Sequence, residues 1–380
     1  MGYIRSYVPI IEELGHTVKI ESVTRRLYPE LRGSLLKRRK VGSLALLLTI
    51  LGSVLFSVGN PSSASTAHAN TLTPITVAGA GTPNGVDGAL AYCAYSGVCA
   101  KHGILLQIVY PPSGGTTSDA AQIANNTYQM AGISGPSLFQ LYEDGVKLVA
   151  VGNSYSDDLS GLSVRAVGAD RAITKPQDLR GKIIGVSAGS TSAETLKIYL
   201  QHFGLAPGSY NTETMNLGAL ITAFTAGKVD AAVVYPMDTS PQFNHSGVGT
   251  RNFYFSKVKA LNYLFTAWVM SPTWVAAHKH VTAELVAALE ESTAKAVAHP
   301  AVAGADVVKS DPRAAPTLTV TVKQWTGNRP FLQSPNDTGH PYMYMAKKDW
   351  AAALTFAETY FGVKPMNPGL VFTNSYVPKS

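Results

Sequence analysis

Charge is scarce in this 380-residue sequence: Asp, Glu, Lys and Arg make up 14% of it, against 46% hydrophobic residues. So little charge beside so much apolar surface excludes a disordered chain. The net charge of +7 suggests nucleic acid until it is located. Residues 1–69 hold nine Lys or Arg and four Glu, so the other 311 residues carry only 22 basic and 20 acidic side chains. After residue 70 there is no Lys/Arg cluster of the kind a phosphate backbone requires. Nucleic acid is excluded as a partner.

Cysteine is scarcer still. Cys93 and Cys99 stand alone, and the nine His show no H-x-x-E-H spacing. No metal and no cofactor is expected. Six residues apart on one unbroken helix, the two cysteines would face apart. Gly97 between them can end the helix and let them meet as a disulfide. The alternative is a pair of separate buried thiols.

The length exceeds one ordinary core and points to about two domains. Lys37–Lys40 is wholly basic, Val41–Val58 is uncharged and apolar, and Ala67-His68-Ala69 is a small-x-small site. Together residues 37–69 have the pattern of a cleavable export signal. An 18-residue apolar run also sits at the lower edge for a membrane anchor, the rival reading. Residues 1–36 form an N-terminal extension of unassigned status. In an exported, oxidising setting the disulfide gains weight.

From Thr73 onward, short apolar runs alternate with helical stretches. Strands are expected at Ile75–Ala78, Ile104–Tyr110, Met130–Ile133, Lys147–Gly152, Leu162–Val167, Ile183–Val186, Asp230–Tyr235 and Phe265–Met270. Helices are expected from Gly88, over Ser118–Tyr128, Ser137–Glu143, Ala193–Phe203, Gly218–Ala226, Ala283–Ala298 and Asp349–Phe361. This β-α-β-α order predicts an α/β fold with parallel pairing.

Five segments, in order, resemble the periplasmic substrate-binding proteins of ABC transporters: CAKHGILLQIVYPPSGGT, ITKPQDLRGKIIGVSAGSTSAETLKIYLQHFGL, ALITAFTAGKVDAAVV, WVMSPTWVAAHKHVTAELVAALEES and YFGVKPMNPGLVFTNSYVPK. The branch is the one that takes nitrate, sulfonates, taurine and thiamine-pyrimidine precursors. The resemblance implies a two-lobed type II periplasmic-binding-protein fold, each lobe a mixed, mostly parallel sheet flanked by helices. Lobe one would comprise 73–164 and 267–380, lobe two 165–266, joined by two crossover segments. It also implies a monomer that takes a small-molecule ligand in the cleft and then meets a membrane permease. Asn328–Met345, rich in Pro, Asn and Gly, does not fit the family pattern.

In open α/β sheets, ligands settle beyond the carboxyl ends of strands. That rule selects Gly81 and Thr82, then Ser113, Gly114 and Gly115, then Ser134 and Gly135. In the second half it selects Gly189, Ser190, Thr191 and Ser192, followed by Tyr235 and Asp238. The Gly-Ser-Thr-Ser run at a helix start suits an anion, through free N–H groups and the helix dipole, though the same hydroxyls serve ordinary capping. Asp238 would hold a ligand amine or ring N–H, or cap a helix. Tyr92, Tyr95 and Trp268 would either stack on a flat ligand or pack in the core. None of these loops carries Lys or Arg, which weighs against a small, fully charged anion. The enzymatic alternative rests on Gly185-Val186-Ser187-Ala188-Gly189, a G-x-S-x-G match between strand and helix. It would need Asp230 or Asp238 and His299 or His340 as partners of Ser187.

Overall fold

The structure, a computed structural model, describes residues 72–111, 116–166, 173–187 and 192–379. The extension 1–36, the export signal 37–69 and the loop residues Ser113, Gly114, Gly189, Ser190 and Thr191 lie outside the described residues, as does the side chain of Ser192. No helix among the described residues is long and apolar enough to cross a membrane.

The strands in chain order are β1 (Thr73–Ala78), β2 (Ile104–Val109), β3 (Met130–Ser134), β4 (Val149–Tyr155), β5 (Gly161–Arg165), β6 (Ile183–Ser187), β7 (Asn211–Met215), β8 (Ala231–Val234), β9 (Thr250–Tyr254) and β10 (Thr266–Met270). The first helices are α1 (Gly88–Tyr95), α2 (Val98–Lys101), α3 (Thr116–Ala124), α4 (Gly135–Glu143), α5 (Ser192–His202), α6 (Leu217–Thr225) and α7 (Pro236–His245). Then come α8 (Pro272–Ala277), α9 (Lys279–Ala298), α10 (Pro300–Ser310), α11 (Leu318–Asn328) and α12 (Lys347–Phe356).

Two mixed five-stranded sheets result, in the orders β2-β1-β3-β10-β4 and β7-β6-β8-β5-β9. In the first, β1 is parallel to β2 and β3, while β10 runs antiparallel between β3 and β4. In the second, β6 is parallel to β7 and β8, and β5 is antiparallel to β8 and β9. The central strands are apolar on both faces because helices cover them, as parallel pairing requires. β7 is different: Asn-Thr-Glu-Thr-Met lies at an edge and is largely exposed.

The helices bury the stripes their spacing dictates. On α9 Leu285, Val286, Leu289, Thr293 and Ala296 face inward. On α11 the buried set is Val320, Thr321, Gln324, Trp325 and Asn328. Both join a core beneath β1 that includes Ile75, Val77 and Leu90. Cys93 and Cys99 form a disulfide in the same core, with Cα atoms 4.9 Å apart. Gly97, at φ 78°, makes the left-handed turn between α1 and α2 that lets them meet.

Two connections cross between the sheets, Ser156–Ser160 and Phe255–Phe265. Asn328–Met345 braces the first. Asn153 Nδ2 donates to the Leu332 and Tyr342 carbonyls at 2.8 and 3.0 Å, and Asp157 N donates to Phe331 O at 3.2 Å. The Ser156 hydroxyl donates to Asp337, and the Phe331 ring lies 6.1 Å from that of Tyr254 on β9. Asp349 anchors the brace by accepting from Ser334 and Asn336, each at 2.6 Å.

Candidate functional site

Where β1 ends, the chain turns through Gly79–Thr82 and a 3₁₀ turn, Gly85–Asp87, into α1. Asn84 shapes that turn: its Oδ1 accepts from Val86 N at 2.9 Å and its Nδ2 donates to Thr82 O at 3.0 Å. Asp87 is thereby placed beneath the end of β1, 3% exposed, with Oδ1 accepting from Ala80 N at 3.2 Å. Where β8 ends, in the other sheet, Tyr235 leads into α7 and sets Asp238 in its first turn, 5% exposed.

α11 joins these two strand ends. Gln324 Oε1 accepts from Gly85 N at 3.1 Å, while its Nε2 donates to Asp238 O at 2.6 Å. Asn328 Nδ2 donates to Asp238 Oδ1 at 3.3 Å. Tyr155, at the end of β4, donates its hydroxyl proton to Val86 O at 2.9 Å. The rings of Tyr235 and Phe265 meet edge-on at 5.5 Å. A side chain at position 85 has no room: a Cβ there would lie 2.2 Å from Gln324 Cβ and 2.5 Å from Trp325 N. We expect Gly85→Ala to cost about 1–3 kcal/mol by overpacking, read as a lower denaturant midpoint at unchanged slope.

The electrostatics follow from burial. Desolvation pushes Asp87 up to about 8, and the Asp238 charge adds to it. Desolvation likewise pushes Asp238 up to about 7, against the lowering hydrogen bond from Asn328. Backbone hydrogen bonds at Ala80 and Asn84 for Asp87, and at Val86 and Gly85 for Asp238, pull the other way, and among the described residues no Lys or Arg lowers either. The Tyr155 hydroxyl is raised well above its ordinary value, first by burial, then by Asp238 and Asp87. No group of three His, Cys, Asp or Glu that suits a metal occurs among the described residues.

Among the selected residues, Gly81 is left-handed at φ 73° and Thr82 is exposed. Ser134 caps α4, accepting from Ser137 N at 3.4 Å and donating to the Ser137 hydroxyl at 2.7 Å. Tyr92 is buried and Trp268 packs against the same core, whereas Tyr95 is 41% exposed. Asp238 is the selected residue brought against the opposite strand end. Asp87, Asn328 and Gln324 join it there, although none was among the residues selected. Outside this seam, α7 and α11 flank a groove of about 490 Å³ bordered by Met237, Ser240, Asn252 and Lys323.

Ser187 ends β6, while Asp230 accepts from Ile183 N at 2.7 Å and faces Lys182 at 3.7 Å, at the strand's start. Four residues of strand separate them, roughly 13 Å. Asp230 is therefore not the acid of a triad with Ser187.

Comparison with known proteins gives the following. The model of a family described as NMT1/THI5 like matches residues 92–303. The chain is 36% identical over 70 residues to the taurine-binding periplasmic protein of Escherichia coli (strain K12), 18% of this chain and 22% of that one. It is 27% identical over 146 residues to a putative ABC transporter periplasmic binding protein of Brachyspira hyodysenteriae, 36% of this chain and 42% of that one. The chain thus spans less than half the length of these curated relatives. The alkanesulfonate-binding protein SsuA of Xanthomonas axonopodis pv. citri, solved with MOPS bound, superposes with a TM-score of 0.58 at 15% identity. The match covers 81% of this chain and 96% of that one. The fold is that of the two-lobed periplasmic binding proteins.

Proposed function

Because the chain belongs to the NMT1/THI5-like family, we propose that it is an extracytoplasmic solute-binding protein. It delivers a small organic molecule, a sulfonate, carboxylate or pyrimidine-like compound, to an ABC-transporter permease. The observation that carries this reading is the meeting of two strand ends from different sheets, Gly85–Asp87 after β1 and Tyr235–Asp238 after β8, with Gln324 hydrogen-bonded to both. Each sheet is the core of one lobe, and the crossings at Ser156–Ser160 and Phe255–Phe265 are the hinge. Thr82, Ser113, Gly114 and Ser134 face the ligand from one lobe. Gly189, Ser190, Thr191 and Ser192 face it from the other. Residues 37–69 export the chain, which works as a monomer and without catalysis.

Closure follows from differential affinity: a ligand that touches both lobes favours the form in which both are near. The test is a thermal-shift screen of taurine, alkanesulfonates, carboxylates and aminopyrimidines, with scattering on each hit. A ligand at a hundredfold its Kd should add about 2.7 kcal/mol of stability, and the particle should become more compact. Equal compactness with and without a stabilising ligand would refute the hinge.

A further inference from the structure

Beside the seam, the groove between α7 and α11 takes its walls from both sheets. α7 follows β8 and buries Phe243 against Ala232 and Val234 of the second sheet. α11 buries Trp325 in the core beneath β1. The two helices meet at Gly327, where an added Cβ would lie 3.3 Å from Met237 Sδ. Along them the groove encloses about 490 Å³, within the range of small-molecule sites. Met237 and Pro241 line it from α7, Val320 and Lys323 from α11, and Asn252 from β9.

The border of this groove is one-sided in charge. Lys323 is its full cation, His245 adds an imidazole from the last turn of α7, and no Asp or Glu joins them. Lys323 forms no ion pair among the described residues. Asp238, the one acid of α7, is turned to Asn328 and is absent from the border. Asn252 is held in place, its Oδ1 accepting from Ser163 at 2.9 Å and its Nδ2 donating to Ser240 at 3.0 Å. We propose that the groove is a second ligand site, separate from the cleft, for an organic anion with an apolar body. Its carboxylate pairs with Lys323, and its hydrocarbon lies over Met237, Pro241 and Val320. The flexible Met237 thioether adapts to the shape of that body. The consequence rests on the solute-binding reading: an occupant that touches α7 and α11 at once holds the lobes together. It therefore tightens the cleft ligand by the factor by which that ligand tightens it.

The full chain should be titrated calorimetrically with phenylacetate and with its neutral counterpart, phenylacetamide. The acid should bind about tenfold or more tighter than the amide. Lys323→Met should bring the two near parity, and Lys323→Arg should retain the preference. Scattering should show a more compact particle with phenylacetate bound. Equal binding of the amide, a preference that survives Lys323→Met, or failure of phenylacetate to bind at millimolar concentration overturns the site. Binding without compaction overturns the bridging of the lobes. A thermal-shift hit that compacts Lys323→Met leaves the solute-binding reading standing even where phenylacetate fails. A Lys323-dependent preference in a chain with no such hit keeps the groove and sinks that reading.

Discussion

Raising the pH from 5 to 8 should destabilise the protein by roughly 6 kcal/mol through Asp87 and Asp238 alone. Both carboxyls have an ordinary value of 3.8, and burial pushes them up to about 8 and about 7. The sign follows from which state holds the proton. Below pH 3.8 the carboxyls are protonated whether the chain is folded or not, and the folded state keeps its full advantage. As pH rises through the window from about 4 to about 8, the unfolded chain releases these protons first. Stability falls until the folded pKa values are passed. Asp157 and Asp158, in the first crossing between sheets, are raised by burial to about 6 and add a slope of the same sign. Urea denaturation at several pH values should show the loss. Asp87→Asn should remove a large share of it while leaving the part due to Asp157 and Asp158. An unchanged pH slope in Asp87→Asn would mean that Asp87 is hydrated in solution.

Trp325→Ala should be the most damaging single substitution, at about 3–5 kcal/mol. The side chain has no exposed surface, and its Nε1 donates to Ala296 O at 2.7 Å. Truncation opens a cavity between α11 and α9 and strands that carbonyl. Trp325→Phe keeps most of the volume and loses only the donor, so about 1–2 kcal/mol is expected. Chemical denaturation separates the two. Ligand affinity should fall in the alanine variant as well, because Gln324 and Asn328 hold the seam from the same helical stripe. If Trp325→Ala costs less than Trp325→Phe, the site collapses around the smaller residue, and α11 is not held as described.

The alternation of strands and helices was legible wherever an element is buried on a face its own residues define. β1, β6 and β8 are β-branched or small apolar runs ended by Gly or polar residues, and α9 carries an unambiguous stripe. β7 and β9 were not legible. Asn-Thr-Glu-Thr-Met and Thr-Arg-Asn-Phe-Tyr sit at the edges of their sheets, where one side needs no apolar residue. α11 was obscured by Leu-Thr-Val-Thr-Val, which alternates like a strand; only packing against α9, α10 and the Gly85–Asp87 turn makes it a helix. In the site, the strand-end rule found Asp238 because it follows a strand directly. It passed over Asp87, nine residues beyond the last residue of β1, where an acid just before a helix reads as ordinary first-turn chemistry. Gln324 and Asn328 are brought in by tertiary packing from more than two hundred residues away. The Gly85–Gln324 contact leaves no mark near either residue except the glycine itself. The disulfide followed from Gly97, where a left-handed turn shortens the path between Cys93 and Cys99.

The placement of β10 also governs the order of assembly. The whole second sheet lies between β4 and β10, so the first sheet lacks a central strand until about 110 residues after β4 have followed it. At synthesis rates of about 5–20 residues per second, β3 and β4 wait roughly ten seconds for the strand that pairs with both. During that interval each presents an unpaired edge, the form of a chain most prone to capture by another. A cell that makes this protein must keep a half-built sheet from finding the wrong neighbour.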